Sequence, residues 1–220
     1  MKIICCGTQN IGKSTYIKDF LKEWPMYKTP EKTYRDVIKE KGLVINESGT
    51  EESQKIILDV LVDQAIEYSK DDNVILDRCV LDNLAYTTWL SLTDKVSEKF
   101  LEETKDIVRE TLKLYDILFF FPISKFNSIP LEQDGLRSVD PQYREEIDFI
   151  FKLFQQSYLK SDGRVFPKDE CPALIELYGS REERIKLTSL YINPEGKPYA
   201  DDQSLMSDIA MPPEKQIIVP

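Results

Sequence analysis

The stretch Gly7-Thr8-Gln9-Asn10-Ile11-Gly12-Lys13-Ser14 decides the fold of this 220-residue chain. It fits the pattern G-x-x-x-x-G-K-[ST] at every position. The apolar run Ile3–Cys6 precedes it, and apolar residues at helical spacing follow it. In this order, a strand, a glycine-rich turn and a helix place backbone N–H groups and a helix N-terminus around an anionic phosphate. The sequence therefore predicts a phosphate loop that binds a nucleoside triphosphate.

Several side chains of this loop have expected roles. Lys13 is expected to reach the β- and γ-phosphates, Ser14 to place its hydroxyl on Mg²⁺, and Thr15 to donate a hydrogen bond to the α-phosphate. The expected cofactors are therefore ATP and Mg²⁺. The candidate ATP-binding residues of the loop are Gly7, Thr8, Gln9, Asn10, Ile11, Gly12, Lys13, Ser14 and Thr15.

Composition limits what the rest of the chain can do. Hydrophobic residues make up 41% and charged residues 31%, and no apolar run approaches the ~20 residues of a membrane span. Histidine is absent, so acid–base work falls to carboxylates. The four cysteines match neither a disulfide framework nor a metal-ligand spacing. We expect a cytoplasmic protein without a membrane partner.

The net charge of -10 favours small molecules as partners over nucleic acid, because a strongly acidic chain repels a phosphate backbone. A local basic patch within the acidic chain keeps nucleic acid open as a less favoured partner. A homodimer stays open as well.

Apolar runs alternate with amphipathic segments along the chain, which predicts an α/β fold with a mostly parallel sheet. We expect a P-loop three-layer sandwich of residues 1–192 with five strands and a helical lid at about 124–146. Residues 193–220 are polar and proline-rich, and we predict an extended or mobile tail. The predicted strands are Ile3–Cys6, Met26–Thr29, Val74–Leu76, Ile117–Pro122 and Ala173–Tyr178.

The second decisive stretch is Val74-Ile75-Leu76-Asp77-Arg78. GTPases carry an Asn-Lys-x-Asp motif, and it is missing here. Motor and AAA-type ATPases end an apolar strand with paired acids, whereas this strand ends with a carboxylate beside a cation. The pair resembles the Asp-Arg or Glu-Arg of thymidylate kinases and deoxynucleoside kinases, and the likeness extends from Asp77 to Tyr86.

Two further segments carry the resemblance. Pro30-Glu31 followed by Arg35 resembles the acidic acceptor-binding turn of deoxynucleoside kinases and nicotinamide-riboside kinase domains. Gln133–Arg137, with Arg144 further on, is similar to the arginine-bearing lid of nucleoside and nucleotide kinases. The lid lacks a dense run of arginines, and Cys79 stands where many relatives carry an aromatic or hydroxyl residue.

The resemblance implies roles for several residues. The base that takes the acceptor's proton is Glu31 or Asp77, and Asp77 competes with a second duty at the Mg²⁺ together with Ser14. Tyr86 or Trp89 is a candidate for stacking on a base, although such aromatics are often core residues. Arg137 and Arg144 either serve the phosphates or decorate an exposed helix. The implied catalytic residues are Lys13, Glu31, Asp77, Arg78 and Arg137; Arg144 joins the ATP site; the acceptor contacts are Glu31, Arg35, Gln54, Arg78 and Asp82.

A kinase for a nucleoside, nucleoside monophosphate or related small acceptor is therefore the favoured interpretation. A kinase that acts on a polynucleotide end or a modified base is the first alternative. An ATPase or nucleotide switch without an acceptor is the second.

Overall fold

The computed structural model describes residues 1–123 and 140–199. Strands and helices alternate as the sequence predicts, and a short 3₁₀ helix at Asn46–Ser48 precedes the third α-helix. The elements are β1 (Lys2–Cys6), α1 (Lys13–Glu23), α2 (Tyr34–Lys41), α3 (Glu51–Tyr68), β2 (Val74–Asp77), α4 (Val80–Leu92), α5 (Glu98–Leu112), β3 (Ile117–Phe120), α6 (Pro141–Lys160), β4 (Ala173–Glu176) and α7 (Arg181–Thr188).

The four strands form one parallel sheet in the order β2-β1-β3-β4. In register, Ile4 of β1 lies opposite Leu76 of β2 and Leu118 of β3. The carboxyl ends of these strands lie at one edge of the sheet, where ligands of open α/β sheets bind. The loop after β1 and the Asp77-Arg78 step after β2 therefore start at the same edge.

Alternate residues of the strands pack on opposite faces of the sheet. Ile4 and Cys6 belong to a core shared with α3, α4, α5 and α6, and Ile3 and Cys5 belong to a core shared with α1. Both faces are covered, so the strands are apolar throughout rather than alternating. This is the predicted three-layer α/β architecture.

The prediction of five strands is wrong: the described residues form four, and Met26–Thr29, the second strand predicted along the chain, is not one of them. Only Lys28 bridges the sheet: its N–H donates to the Asn73 carbonyl at 2.9 Å and its carbonyl accepts from Ile75 at 2.9 Å. The Tyr27 N–H instead closes a turn onto the Trp24 carbonyl at 3.1 Å. Pro30 brings no N–H to continue the ladder, so pairing stops at one bridge.

Residues 193–199 form a turn that is fastened to the domain. The indole N–H of Trp24 donates to the Asn193 carbonyl at 2.8 Å, and the Tyr27 hydroxyl donates to the Gly196 carbonyl at 2.8 Å. Both aromatic rings are buried. The rest of the predicted tail lies outside the described residues, as does the predicted lid from 124 to 139.

Among the helices of residues 1–123 and 140–199, none is long and apolar enough to cross a membrane.

Candidate active site

The phosphate loop leaves β1 and enters α1 through backbone conformations that glycine adopts most readily. Gly7 has a φ of 134° and Gly12 a φ of 80°, and Asn10 also has a positive φ. A Cβ at Gly7 would lie 2.6 Å from the carbonyl oxygen of Phe121, the residue after β3. The loop therefore folds tightly against the neighbouring strand, which explains why the motif needs a glycine at this position.

Lys13 is buried and closes the loop on itself. Its ammonium group donates to the carbonyl oxygens of Gly7 at 2.6 Å and Thr8 at 2.7 Å. Burial, together with the positive charge of Arg78, lowers the pKa of Lys13 to about 8, although Asp82 and Asp77 oppose the shift. This cation lies in the predicted phosphate loop, where a bound phosphate would stabilise its charged form.

The side chains of Ser14 and Asp77 are in contact, and together they present oxygen atoms that could bind a metal ion. The Ser14 hydroxyl donates to Oδ2 of Asp77 at 2.7 Å, and Oδ1 of Asp77 is buried without a hydrogen-bond partner within residues 1–123 and 140–199. A hydroxyl and a carboxylate are oxygen ligands of the kind that Mg²⁺ takes, with the remaining positions left to water and phosphate. Ser14 and Asp77 are therefore suitable ligands for Mg²⁺. Thr15 follows Ser14 and is exposed at the start of α1.

Arg78 is a second buried cation at this edge. Its Nη1 donates to Oδ1 of Asp82 at 3.1 Å, and its guanidinium lies over the rings of Tyr34 at 4.8 Å and Tyr86 at 5.4 Å. The backbone of Arg78 has a φ of 77°, a left-handed conformation that is unfavourable for a long side chain. Such strain clusters at functional sites, where the surrounding contacts hold it in place.

A cavity of about 50 Å³ adjoins Arg78, and we call it the Arg78 cavity. It brings together four of the five predicted acceptor contacts, namely Arg35, Gln54, Arg78 and Asp82, with Gln9 of the phosphate loop. Its other walls are mostly apolar. They are Tyr34, Ile38, Ile45, Asn46, Ile57, Leu61, Asn83 and Tyr86.

Inside this cavity the polar side chains already have partners. Oε1 of Gln54 accepts from the Asn83 amide at 2.9 Å and from the Thr87 hydroxyl at 3.4 Å, which fixes the side chain of Gln54. Asp82 also accepts from the Cys79 N–H, as the third residue of α4 in a capping box. Burial raises the pKa of Asp82, with Arg78 and Lys13 acting in the opposite direction.

Glu31 lies apart from this group. It is exposed and lines a separate groove of about 670 Å³ with Asp63, Glu67 and Tyr68 of α3, and it is not among the residues that line the Arg78 cavity. The structure therefore brings Asp77 to the phosphate loop but not Glu31. The assignment of the base to Glu31 stays a prediction. Trp89 packs edge-on against Tyr143 and donates to Glu146, so it belongs to the α4–α6 contact.

The first turn of α6 touches the phosphate loop. The Thr8 hydroxyl donates to the Arg144 carbonyl at 3.3 Å, and Nε of Arg144 is buried without a partner within the described chain. Burial lowers the pKa of Arg144, with Asp148 and Glu145 opposing it. Arg137, the other predicted lid cation, lies outside the described residues.

Arg184 of α7 is a residue of the site that the sequence analysis missed. It is only 3% exposed, and its Nη1 donates to the carbonyl of Ile11 in the phosphate loop at 2.9 Å. It lies among charged residues in Arg181-Glu182-Glu183-Arg184, which is the pattern of an exposed helix face. Helical spacing was the one signal that could have identified Arg184, because Arg184 and Thr188 lie one turn apart on the buried face of α7.

Comparison with known proteins gives a family. Residues 2–158 match the family AAA_28, described as an AAA domain. The chain belongs to this family. A comparison with curated protein sequences gives no match.

Solved structures share the fold. A deoxyadenosine kinase from M. mycoides with dCMP and dCDP bound has a TM-score of 0.59 at 18% identity, over 86% of this chain and 96% of that one. NadR in complex with NR has a TM-score of 0.60 at 14% identity, over 91% of this chain and 53% of that one, so this chain spans about half of NadR. The predicted resemblance to P-loop nucleoside and nucleotide kinases is confirmed at the level of the fold.

The strand end that distinguished this sequence from the AAA-type ATPases is present in the structure. Asp77 is the last residue of β2, and the residue that follows it is the buried cation Arg78 rather than a second acid. Within the described chain there is also no cluster of three or more acidic or cysteine side chains that could hold a metal ion without phosphate and water.

Proposed function

We propose that the protein is a Mg²⁺- and ATP-dependent kinase that transfers the γ-phosphoryl group to a nucleoside, a nucleoside monophosphate or a related small acceptor. The observation that carries this proposal is the Asp77-Arg78 step. Asp77 accepts from Ser14 of the phosphate loop, and the next residue, Arg78, lines the adjoining Arg78 cavity. One strand end therefore joins a donor site to an acceptor site, as phosphoryl transfer requires.

The phosphate loop supplies the donor half. Lys13 would leave the carbonyls of Gly7 and Thr8 and neutralise charge on the β- and γ-phosphates. Ser14 and Asp77 would hold Mg²⁺, which neutralises charge on the same oxygens when bound. Thr15 would serve the α-phosphate, and Arg144 would bring further positive charge from the first turn of α6. Arg137 stays a further candidate cation for the phosphates.

The Arg78 cavity supplies the acceptor half. Transfer breaks the bond from the γ-phosphorus to the bridging oxygen, forms a bond to the acceptor oxygen and releases ADP; the acceptor's proton passes to Glu31, Asp77 or water. Arg78 and Arg35 would orient the acceptor, while Gln54 and Asp82 would bind its polar edge. The structures of deoxyadenosine kinase with nucleotides and of NadR with NR support an acceptor of this class.

The cavity is smaller than such an acceptor needs. Ligand pockets measure roughly 300–1,000 Å³, whereas this one measures about 50 Å³. Helix α2 forms one wall through Tyr34, Arg35 and Ile38. Acceptor entry therefore requires the walls of the cavity to move apart, a motion of the kind that gates many kinases.

The test is transfer of label from γ-labelled ATP to nucleosides, nucleoside monophosphates, nicotinamide riboside and DNA. We expect transfer to one of the small acceptors, loss of transfer in Lys13→Ala, and wild-type transfer in Lys18→Ala, which changes an exposed lysine of the same helix. Transfer to DNA alone would identify the nucleic-acid kinase instead. Hydrolysis of ATP at one rate with and without every acceptor would identify an ATPase or switch.

A further inference from the structure

Arg184 contacts the backbone of the phosphate loop on the side that faces α7. It comes from α7, the last helix of the described domain, and donates from Nη1 to the carbonyl of Ile11 at 2.9 Å. Its guanidinium lies 5.1 Å from the centre of the Phe121 ring, and Phe121 is also the residue whose carbonyl abuts Gly7. Tyr16 of α1 packs on the same ring at 5.0 Å. Helices α1 and α7 and the end of β3 thus meet at this guanidinium.

The positive charge of Arg184 is not balanced nearby. The side chain is 3% exposed, and within residues 1–123 and 140–199 it has no ion-pair partner, while Nε and Nη2 have no hydrogen-bond partner. A desolvated, unpaired cation is costly to a fold. Its position immediately behind an anion-binding loop gives that charge a use, because a bound polyphosphate would lower its energy.

The geometry of the peptide group gives the contact a second consequence. A peptide bond is planar and trans, so the carbonyl of Ile11 and the N–H of Gly12 point in opposite directions. A donor that holds the carbonyl toward α7 turns the Gly12 N–H away from α7. A hydrogen bond to the carbonyl also polarises the same peptide and strengthens its N–H as a donor.

We propose that Arg184 is a positioning residue that fixes the Ile11–Gly12 peptide so that the Gly12 N–H faces the bound phosphates. Arg184 touches neither ATP nor the acceptor; it acts through the backbone of the loop and through its charge. This inference rests on the proposed binding of a polyphosphate at the loop.

Binding measurements separate this role from a general effect on the fold. We expect Arg184→Met to raise the Kd of both Mg-ATP and Mg-tripolyphosphate about tenfold, and Arg184→Lys to raise it less because it keeps one donor and the charge. The KM for the acceptor should stay unchanged. Arg181→Met is the matched control on the same helix, since Arg181 is exposed and pairs with Asp19.

A spectroscopic signal reports on the peptide itself. The sequence contains one Ile-Gly step, so protein labelled with ¹³C at isoleucine carbonyls and ¹⁵N at glycine gives one assigned amide signal, that of Gly12. We expect tripolyphosphate to move this signal strongly in the wild type and less in Arg184→Lys and Arg184→Met. If Arg184→Met fails to fold, Arg184→Lys carries both measurements.

Three outcomes would decide against the inference. Wild-type Kd values in both Arg184 variants would overturn it, and so would a Gly12 signal that tripolyphosphate leaves in place although it binds. Failure of the wild type to bind ATP or tripolyphosphate would overturn the proposed donor site and the inference with it. The first outcome would leave the kinase proposal standing and remove Arg184 from it.

Discussion

Lys13 is the residue through which pH should act on ligand binding. In the ligand-free loop its pKa is about 8, because burial and the charge of Arg78 disfavour the protonated form. A polyphosphate favours that form, so binding above this pH takes up a proton. We expect the Kd of Mg-ATP to be flat below about pH 7 and to rise by up to about tenfold per pH unit above about pH 8.

Titration calorimetry over this range checks the expectation. Lys13→Arg is the control, because a guanidinium stays protonated over the whole range and should remove this rise in Kd whatever its own affinity. A rise of the same slope in Lys13→Arg would assign the pH dependence to another group.

Glu31 and Asp77 can be separated as candidates for the base. If Glu31 takes the proton, Glu31→Gln lowers kcat about 10²- to 10⁴-fold and leaves the Kd of ATP unchanged. Glu67→Gln, in the same groove as Glu31, should keep wild-type kcat. The check is steady-state transfer with the acceptor that the labelled-ATP test identifies; wild-type kcat in Glu31→Gln would exclude Glu31 and leave Asp77 or water.

The sequence predicted some residues of this site and missed others, and the difference has physical reasons. The residues of the phosphate loop and Asp77-Arg78 were predicted because they are consecutive and end predicted strands. Arg184 was missed because it reaches the loop from α7, and a lone arginine among charged neighbours has no local signature. The resemblance also led to Arg35, Gln54 and Asp82, which line one cavity, but it did not show that Glu31 lies in a different groove. That difference depends on how α2 lies on α3, which no spacing in the sequence encodes.

At the scale of elements, the turn from β1 into α1 determines whether the loop can form. A Cβ at Gly7 would meet the backbone oxygen of Phe121 at 2.6 Å, and its φ of 134° is unfavourable for any side chain. Gly42, which ends α2, has a φ of 59° with open space around it. The two positions differ in crowding while both have a positive φ.

Alanine substitutions should therefore have different effects. Gly42→Ala should cost about 1 kcal/mol of the free energy of unfolding and leave ATP binding intact. Gly7→Ala should cost about 3 kcal/mol and weaken ATP binding at least about tenfold, since β1 and β3 must separate to admit the methyl group. Urea unfolding and calorimetry measure both quantities. Equal costs at the two glycines would show that crowding at Phe121 plays no part.

Element boundaries show the same limit of sequence reasoning. The strands β1 to β4 were predicted because they are continuous apolar runs, as strands buried on both faces must be. Met26–Thr29 has only two apolar residues, Met26 and Tyr27. Tyr27 turns back to Trp24, and its hydroxyl donates to the Gly196 carbonyl. The partner that holds Tyr27 out of the sheet lies 169 residues away, so local pattern could not reveal it.

At the scale of the whole molecule, the turn at 193–199 packs against the residues that follow α1. It accepts hydrogen bonds from Trp24 and Tyr27 and covers both rings. A chain of residues 1–192 should therefore lose about 2 kcal/mol of unfolding free energy relative to a chain of residues 1–199, about 1 kcal/mol for each lost hydrogen bond. Parallel urea titrations compare the two. Equal midpoints would show that the turn contributes nothing to stability.

Two cysteines of the central strand β1 allow the opening of the sheet to be measured by thiol alkylation. Burial raises the pKa of the Cys5 and Cys6 thiols, and both are fully enclosed. An alkylating reagent reaches them only when the sheet around β1 opens. Because the phosphate loop begins at the next residue, a nucleotide bound there should slow alkylation by a factor of one plus its concentration divided by its Kd. The two thiols therefore allow any nucleotide to be screened for binding before an acceptor is known.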